Sequence, residues 1–149
     1  MNKASRHRLY NQTKIATANP GMLIVMLYDG AIKFLKQAQV AIASKELENA
    51  HNSIIRAEAI IVELMSSLKM DVGGEIAQNL YRIYDYIYHT LIEANTKKDS
   101  EKIESVVSML ISMKRTWEEV IVKEAEAKKT DKKTDSPEQG KQKSFNIAI

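Results

Sequence analysis

Between Asn19 and Ala127 the apolar residues recur at spacings of three and four, in four successive runs separated by short polar breaks. That period belongs to one face of an α-helix, so the chain reads as four amphipathic helices in a row. Turns of only a few residues set sequential helices side by side in opposite directions, and the expected fold is an all-α, antiparallel four-helix bundle. A chain of 149 residues fits one such domain. Composition agrees, since Ala, Leu, Ile, Glu and Lys are abundant while Gly numbers 5 and Pro 2, and neither proline interrupts a run.

Each run carries end signals. In the first, Asn19 is placed to cap and Pro20 takes the opening helical position, where its missing N–H would have had no partner. Its expected core stripe is Leu23, Met26, Leu27, Ala31, Phe34, Leu35, Ala38 and Ile42. The second run extends from about Ser44, the expected cap, to Leu68, with Leu47, Ala50, Ile54, Ala57, Ile61, Leu64 and Leu68 facing inward. Gly73 and Gly74 read as the break before the third run, whose stripe is Ile76, Leu80, Ile83, Ile87, Leu91 and Ala94. Asp99 is expected to cap the fourth, which carries Ile103, Val106, Val107, Leu110, Met113 or Lys114, Trp117, Val120 and Ile121 and is expected to fray near Ala127.

Outside the runs the chain changes character. Residues 1–18 are polar and basic, with Leu9, Tyr10 and Ile15 as isolated apolar positions, and are expected to form a mobile N-terminal segment. Residues 128–143 contain no apolar side chain, so residues 128–149 are expected to form a disordered Lys-rich tail despite Phe145, Ile147 and Ile149. The expected organisation is thus an N-terminal cap segment at 1–18, a bundle at 19–127 and a tail at 128–149.

The formal charge of +3 resides in those ends. Residues 1–19 carry four bases and no acid, residues 123–149 seven lysines against five acids, and residues 20–122 eleven bases against fourteen acids. A mildly acidic body argues against a phosphate-binding face, so no nucleic acid is expected as partner. There is no cysteine for a disulfide, a thiolate metal site or a nucleophile. The apolar run Met22 to Leu27 is too short to span a bilayer, and Met1 to Pro20 lacks the apolar core of a leader. The expectation is a cytoplasmic protein with no direct membrane insertion.

The second run is apolar around too much of its circumference. Ile54, Ile55, Ala57, Ala59, Ile60, Ile61, Val62, Leu64 and Met65 cover an arc of about 260°, where a surface helix needs somewhat over 100°. In the third run Ala77, Tyr81, Tyr84 and Tyr88 recur at helical spacing beside the expected core stripe. Those rings either close the bundle's flank or form a surface shelf, and tyrosine suits a protein-binding surface because it joins a rigid apolar ring to a polar tip. Together the two runs point to an apolar groove fit for an amphipathic helix of another protein, with a homodimer as the alternative occupant.

Signatures of catalysis are missing. His7, His51 and His89 fall into no zinc-binding pattern, and Glu48 with His51 forms a single ExxH where a di-metal bundle needs two. No phosphate-binding glycine loop or nucleophile elbow occurs, and Glu58, Glu63, Glu93 and Glu104 read as solvated faces. No enzyme activity, cofactor or metal is expected.

Longer words complete the reading. ANPGMLIVMLYDGAI at Ala18 to Ile32, IIRAEAIIVEL at Ile54 to Leu64, GGEIAQNLYRIYDYIYHTLIEAN at Gly73 to Asn95, an N-terminal Tyr10 and a late Trp117 together resemble the flagellin-specific export chaperone family, FliS. Ile83 and Ile87 depart conservatively from the family's pattern, and the Lys-rich tail has no clear counterpart there. The resemblance implies a cytosolic helical bundle that binds the disordered C-terminal segment of flagellin in apolar grooves and prevents premature polymerisation. It further implies delivery to the flagellar type III export apparatus, where chaperone and flagellin together contact an export-gate membrane protein. In the family the N-terminal segment covers part of the binding surface when flagellin is absent, and Tyr10 is the matching residue here. With that client in view, the expected flagellin contacts are Ile55, Val62, Tyr81, Tyr84 and Tyr88, with Tyr10 as displaceable cover. The other reading is a helical adaptor or homodimeric scaffold for another flagellar protein.

Overall fold

The computed structural model describes residues 19–134, with side chains as far as residue 129. Tyr10 and the rest of residues 1–18, together with residues 135–149, lie outside the described residues. Four α-helices follow one another: α1 Pro20–Ala43, α2 Leu47–Ser66, α3 Gly74–Lys97 and α4 Ser100–Thr134.

Local chemistry sets most of the boundaries. The Met22 N–H donates to Asn19 Oδ1 at 2.8 Å, with Pro20 at the first helical position, as the sequence predicts. Gly74 opens α3 at a φ of 56°, a left-handed conformation that glycine adopts without a Cβ penalty. Between α3 and α4, Lys98 takes a φ of 51° and Asp99 Oδ1 accepts from the N–H groups of Glu101 and Lys102 at 3.1 and 3.2 Å. Ser44 is the exception, because it closes α1 instead of capping α2. Its N–H continues the α1 ladder to Val40 O at 3.0 Å, and Lys45, at a φ of 60°, then ends the helix. α2 starts only at Leu47, and Glu46 before it supplies no side-chain cap.

Each helix packs on two neighbours, giving the cyclic order α1, α2, α3, α4. Direction follows from cross-helix pairs. Lys114 bridges to Asp29 at 2.6 Å while Gln39 donates to Glu104 at 2.8 Å, so residue numbers rise along α1 as they fall along α4. His51 near the start of α2 meets Asn95 near the end of α3, and the Arg56 guanidinium of α2 stands 5.6 Å over the Phe34 ring of α1 while Gly30 faces Ile60. Neighbouring helices are therefore antiparallel. At Gly30 the approach of α1 and α2 is close enough that a Cβ would stand 3.1 Å from Ile60 Cδ1.

The core runs through the centre as Tyr28, Leu35, Ile54, Ile61, Leu64, Tyr84, Ile87, Leu91, Ile103 and Leu110, all essentially without solvent exposure. Two expected stripes are rotated. On α1 the buried face is Ile24, Tyr28, Ala31, Leu35 and Ala38, with Leu23, Met26, Leu27, Phe34 and Ile42 at its edges. On α3 the buried face is Ala77, Tyr84, Ile87, Leu91 and Ala94, while Ile76 and Ile83 are exposed.

α4 continues to Thr134, past the point near Ala127 where it was expected to fray. The reason is local: residues 123–129 are Lys, Glu and Ala, all strong helix formers, with Glu124 and Lys128 at the favourable i, i+4 spacing. At 35 residues against 24 in α1, it is about 16 Å longer than the helix it lies against.

Asn19→Ala removes the cap on α1 and should lower the stability of the bundle by about 1 kcal/mol, read as a reduced urea midpoint with unchanged slope.

Candidate functional site

The geometry of the candidate site begins inside the core. The Tyr28 and Tyr84 hydroxyls lie 2.6 Å apart, and the Trp117 Nε1–H donates to the Tyr28 hydroxyl at 3.3 Å. Three helices are thereby joined at one buried point, and the two phenol rings tilt at 45° with centroids 6.4 Å apart. Burial is the main cause that pushes both hydroxyls above the ordinary tyrosine pKa, so the network works as neutral hydrogen bonds.

Tyr84, predicted on the exposed shelf, is instead 1% exposed and belongs to the core. Its inward position fixes the rotation of α3. With Tyr84 inside, Tyr81, Tyr88 and Ile92 fall on the flank toward α2, and Ile76 and Ile83 on the opposite flank.

The flank toward α2 forms a cleft of about 440 Å³ lined by Val62, Met65 and Ser66 of α2 and Tyr81, Asp85, Tyr88 and His89 of α3. Val62 and Tyr81 are each nearly half exposed, and Tyr88 is half-buried against the core. Ile55, 43% exposed, lies two turns from Val62 on the same face of α2. Of the predicted contacts, then, Val62, Tyr81 and Tyr88 line one cleft, Ile55 extends its α2 wall, Tyr84 lies beneath and Tyr10 is outside the described residues. Part of the apolar excess on α2 is absorbed elsewhere, because Ile60 packs against α1 at Gly30. What remains outward is Ile55 and Val62, and the connection to α3 adds exposed Met70 and Val72 at one end.

The far end of the α2–α3 seam is polar. Lys98 Nζ donates to Asn95 Oδ1 at 2.7 Å, which leaves the Asn95 amide N–H to donate to His51 Nδ1 at 2.9 Å. In that contact His51 Nδ1 is the acceptor. Sequence reasoning missed Glu58, which it placed on a solvated face. Glu58 is 8% exposed, on the α2 face between Ile55 and Val62, and burial pushes its carboxyl up against a smaller opposing pull from His51. Its signal was available: Glu58 sits four residues before Val62 and three after Ile55, in register with the groove.

Other openings differ in character. A cleft of about 690 Å³ between α1 and α2 joins the apolar Ile32, Val40 and Ala41 to a rim of Asp29, Lys33, Lys36, Gln37, Glu46, Asn49 and Ser53. A smaller one of about 440 Å³ opens among Pro20, Leu23, Met26 and Leu27 at the start of α1, against Glu63 and Ser67. Among the described residues no group of three His, Asp or Glu side chains could hold a metal ion, and no helix is long and apolar enough to cross a membrane.

Residues 1–125 match the family described as "Flagellar protein FliS". This chain belongs to the FliS family. It is 33% identical over 115 residues to "Flagellar secretion chaperone FliS" of Bacillus subtilis (strain 168), covering 77% of this chain and 85% of that protein. It is 34% identical over 107 residues to "Flagellar secretion chaperone FliSB" of Pseudomonas aeruginosa, covering 72% and 85% respectively. A solved structure, "Crystal structure of flagellar chaperone from bacteria", shares the fold with a TM-score of 0.67 at 18% identity, over 82% of this chain and 99% of that one.

The FliS-like words now have structural content. Within Met26 to Ile32, Tyr28 enters the hydroxyl network, Asp29 bridges to Lys114, Gly30 admits Ile60, and Ala31 and Ile32 enter the core. Within Gly73 to Asn95, Gly74 supplies the left-handed start, Tyr84 the inner anchor and Asn95 the polar clasp to His51.

Tyr28→Phe should cost more than Tyr84→Phe, because it strips a partner from both Tyr84 and Trp117. At about 1 kcal/mol per lost hydrogen bond, urea midpoints should fall in the order parent, Tyr84→Phe, Tyr28→Phe.

Proposed function

We propose that this chain is a cytoplasmic flagellar secretion chaperone that holds the C-terminal segment of flagellin in the α2–α3 groove. The observation that carries the reading is a half-exposed apolar seam on a FliS-family bundle: Ile55 and Val62 on one wall, Tyr81 and Tyr88 on the other. Such a seam suits an amphipathic helix whose apolar residues recur at i, i+3, i+4 and i+7. The names of the relatives make a flagellar subunit the client class, and binding works without covalent chemistry.

A disordered segment that folds on binding loses conformational entropy, so the groove must return that cost through broad apolar contact. Masking the segment keeps flagellin from polymerising early and presents it, still bound, to the type III export apparatus and its gate membrane protein. Tyr10 acts as a displaceable cover of the apolar surface when flagellin is absent. That role limits self-association of the exposed patch.

The test is co-purification with the flagellin of the same organism, with and without flagellin's C-terminal segment. Binding that disappears with the segment is expected; binding that survives its removal, or a parent chain that instead forms a dimer through this face, contradicts the reading. Ile55→Asp and Val62→Asp should each weaken flagellin binding by about tenfold or more, because each places an unpaired charge in an apolar contact, while circular dichroism stays that of the parent. Tyr84→Phe should leave affinity unchanged.

A further inference from the structure

Beside the α2–α3 cleft, on the α2 face that carries Ile55 and Val62, lies a nearly buried carboxylate. Glu58 lies on the stripe formed by His51, Ile55, Val62 and Met65, the face of α2 turned toward α3, and is 8% exposed. No hydrogen bond or ion pair reaches it from the described residues, and the pull that His51 exerts on it is smaller than the effect of burial. None of the described buried side-chain oxygens is both sealed off and unpartnered, so the Glu58 carboxylate keeps some contact with the surface instead of being fully enclosed.

A carboxylate that the described residues leave unpaired in apolar surroundings carries a desolvation cost, and a partner that supplies a cation converts that cost into a contact. The cleft lining beside it includes Asp85 and no lysine or arginine. The charge that is missing from this seam is therefore positive.

We propose that Glu58 is a specificity-determining residue of the groove, and that the bound segment is an amphipathic helix whose apolar face is interrupted by one lysine or arginine that pairs with it. Apolar walls alone would accept many amphipathic helices in several registers. A single buried charge pair selects one, because sliding the helix by a turn leaves both charges unpaired in a dry contact. Arginine fits best, since its planar fork can meet both carboxylate oxygens.

The proposal rests on the flagellin reading, and the test separates the two. The probe is a synthetic peptide of the C-terminal segment of the same organism's flagellin, titrated by calorimetry against the parent and Glu58→Gln chains. Each lysine and arginine of the peptide is also changed singly to glutamine. Glu58→Gln should weaken binding by about tenfold, and one of the peptide changes should do the same. The two together should weaken binding no further than either alone. In the free chain Glu58→Gln should raise the urea midpoint at pH 8, because the substitution removes an unpaired charge.

Equal binding of parent and Glu58→Gln overturns this inference and leaves the flagellin reading intact. A lowered urea midpoint for Glu58→Gln also overturns it, by showing that the carboxylate has a partner within the chain. A parent chain that does not bind the peptide overturns the flagellin reading and this occupant with it.

Discussion

The buried contact among Tyr28, Tyr84 and Trp117 decides how the rest of the bundle is dressed. Among the described residues it is the one place where side chains of α1, α3 and α4 meet through hydrogen bonds, and Tyr28 and Tyr84 are closed to solvent. Leaving any of the three unpaired would cost the desolvation of a buried polar group, so the three helices must keep one rotation relative to one another. For α3 that rotation turns Tyr84 inward and sets Tyr81 and Tyr88 against α2. A polar contact in the core thus determines which apolar side chains reach the surface.

The groove and the core are consequently two outcomes of one allocation. α2 has more apolar circumference than one core can cover; Ile54, Ile61 and Leu64 go to the centre, Ile60 to α1, and Ile55 and Val62 remain outward beside the tyrosines of α3. Polar groups bound this strip at one end, where Asn95 joins His51 and Lys98, and Glu58 lies within it. A surface of this kind combines area for affinity with a charge for register, which is the combination a carrier of one particular helix requires.

The four helices were legible because period, cap and glycine break agree in the sequence: Asn19 with Pro20, Asp99, and Gly73 with Gly74 all act where they were expected. Rotation was harder to read. On α1 the pattern Ile24, Tyr28, Ala31, Leu35, Ala38 competes with an equally periodic set one residue away, and only the hydroxyl partner of Tyr28 breaks the tie. The same holds on α3, where a tyrosine with a buried partner displaced isoleucines from the core. Ser44 shows that a capping residue type does not choose between closing one helix and opening the next; the left-handed Lys45 after it does. Of the site, Val62, Tyr81 and Tyr88 were found from periodicity, whereas Glu58 was hidden by the rule that carboxylates face water.

The central claim is that the α2–α3 face, and not another exposed apolar position, receives flagellin. Photo-crosslinking tests it most directly, with benzoylphenylalanine placed at Val62 and, in a separate chain, at Val40, which is 68% exposed on the other side of the bundle. The account predicts crosslinks to the C-terminal segment of flagellin from position 62 and none from position 40. Crosslinks from position 40 with none from position 62 would contradict it.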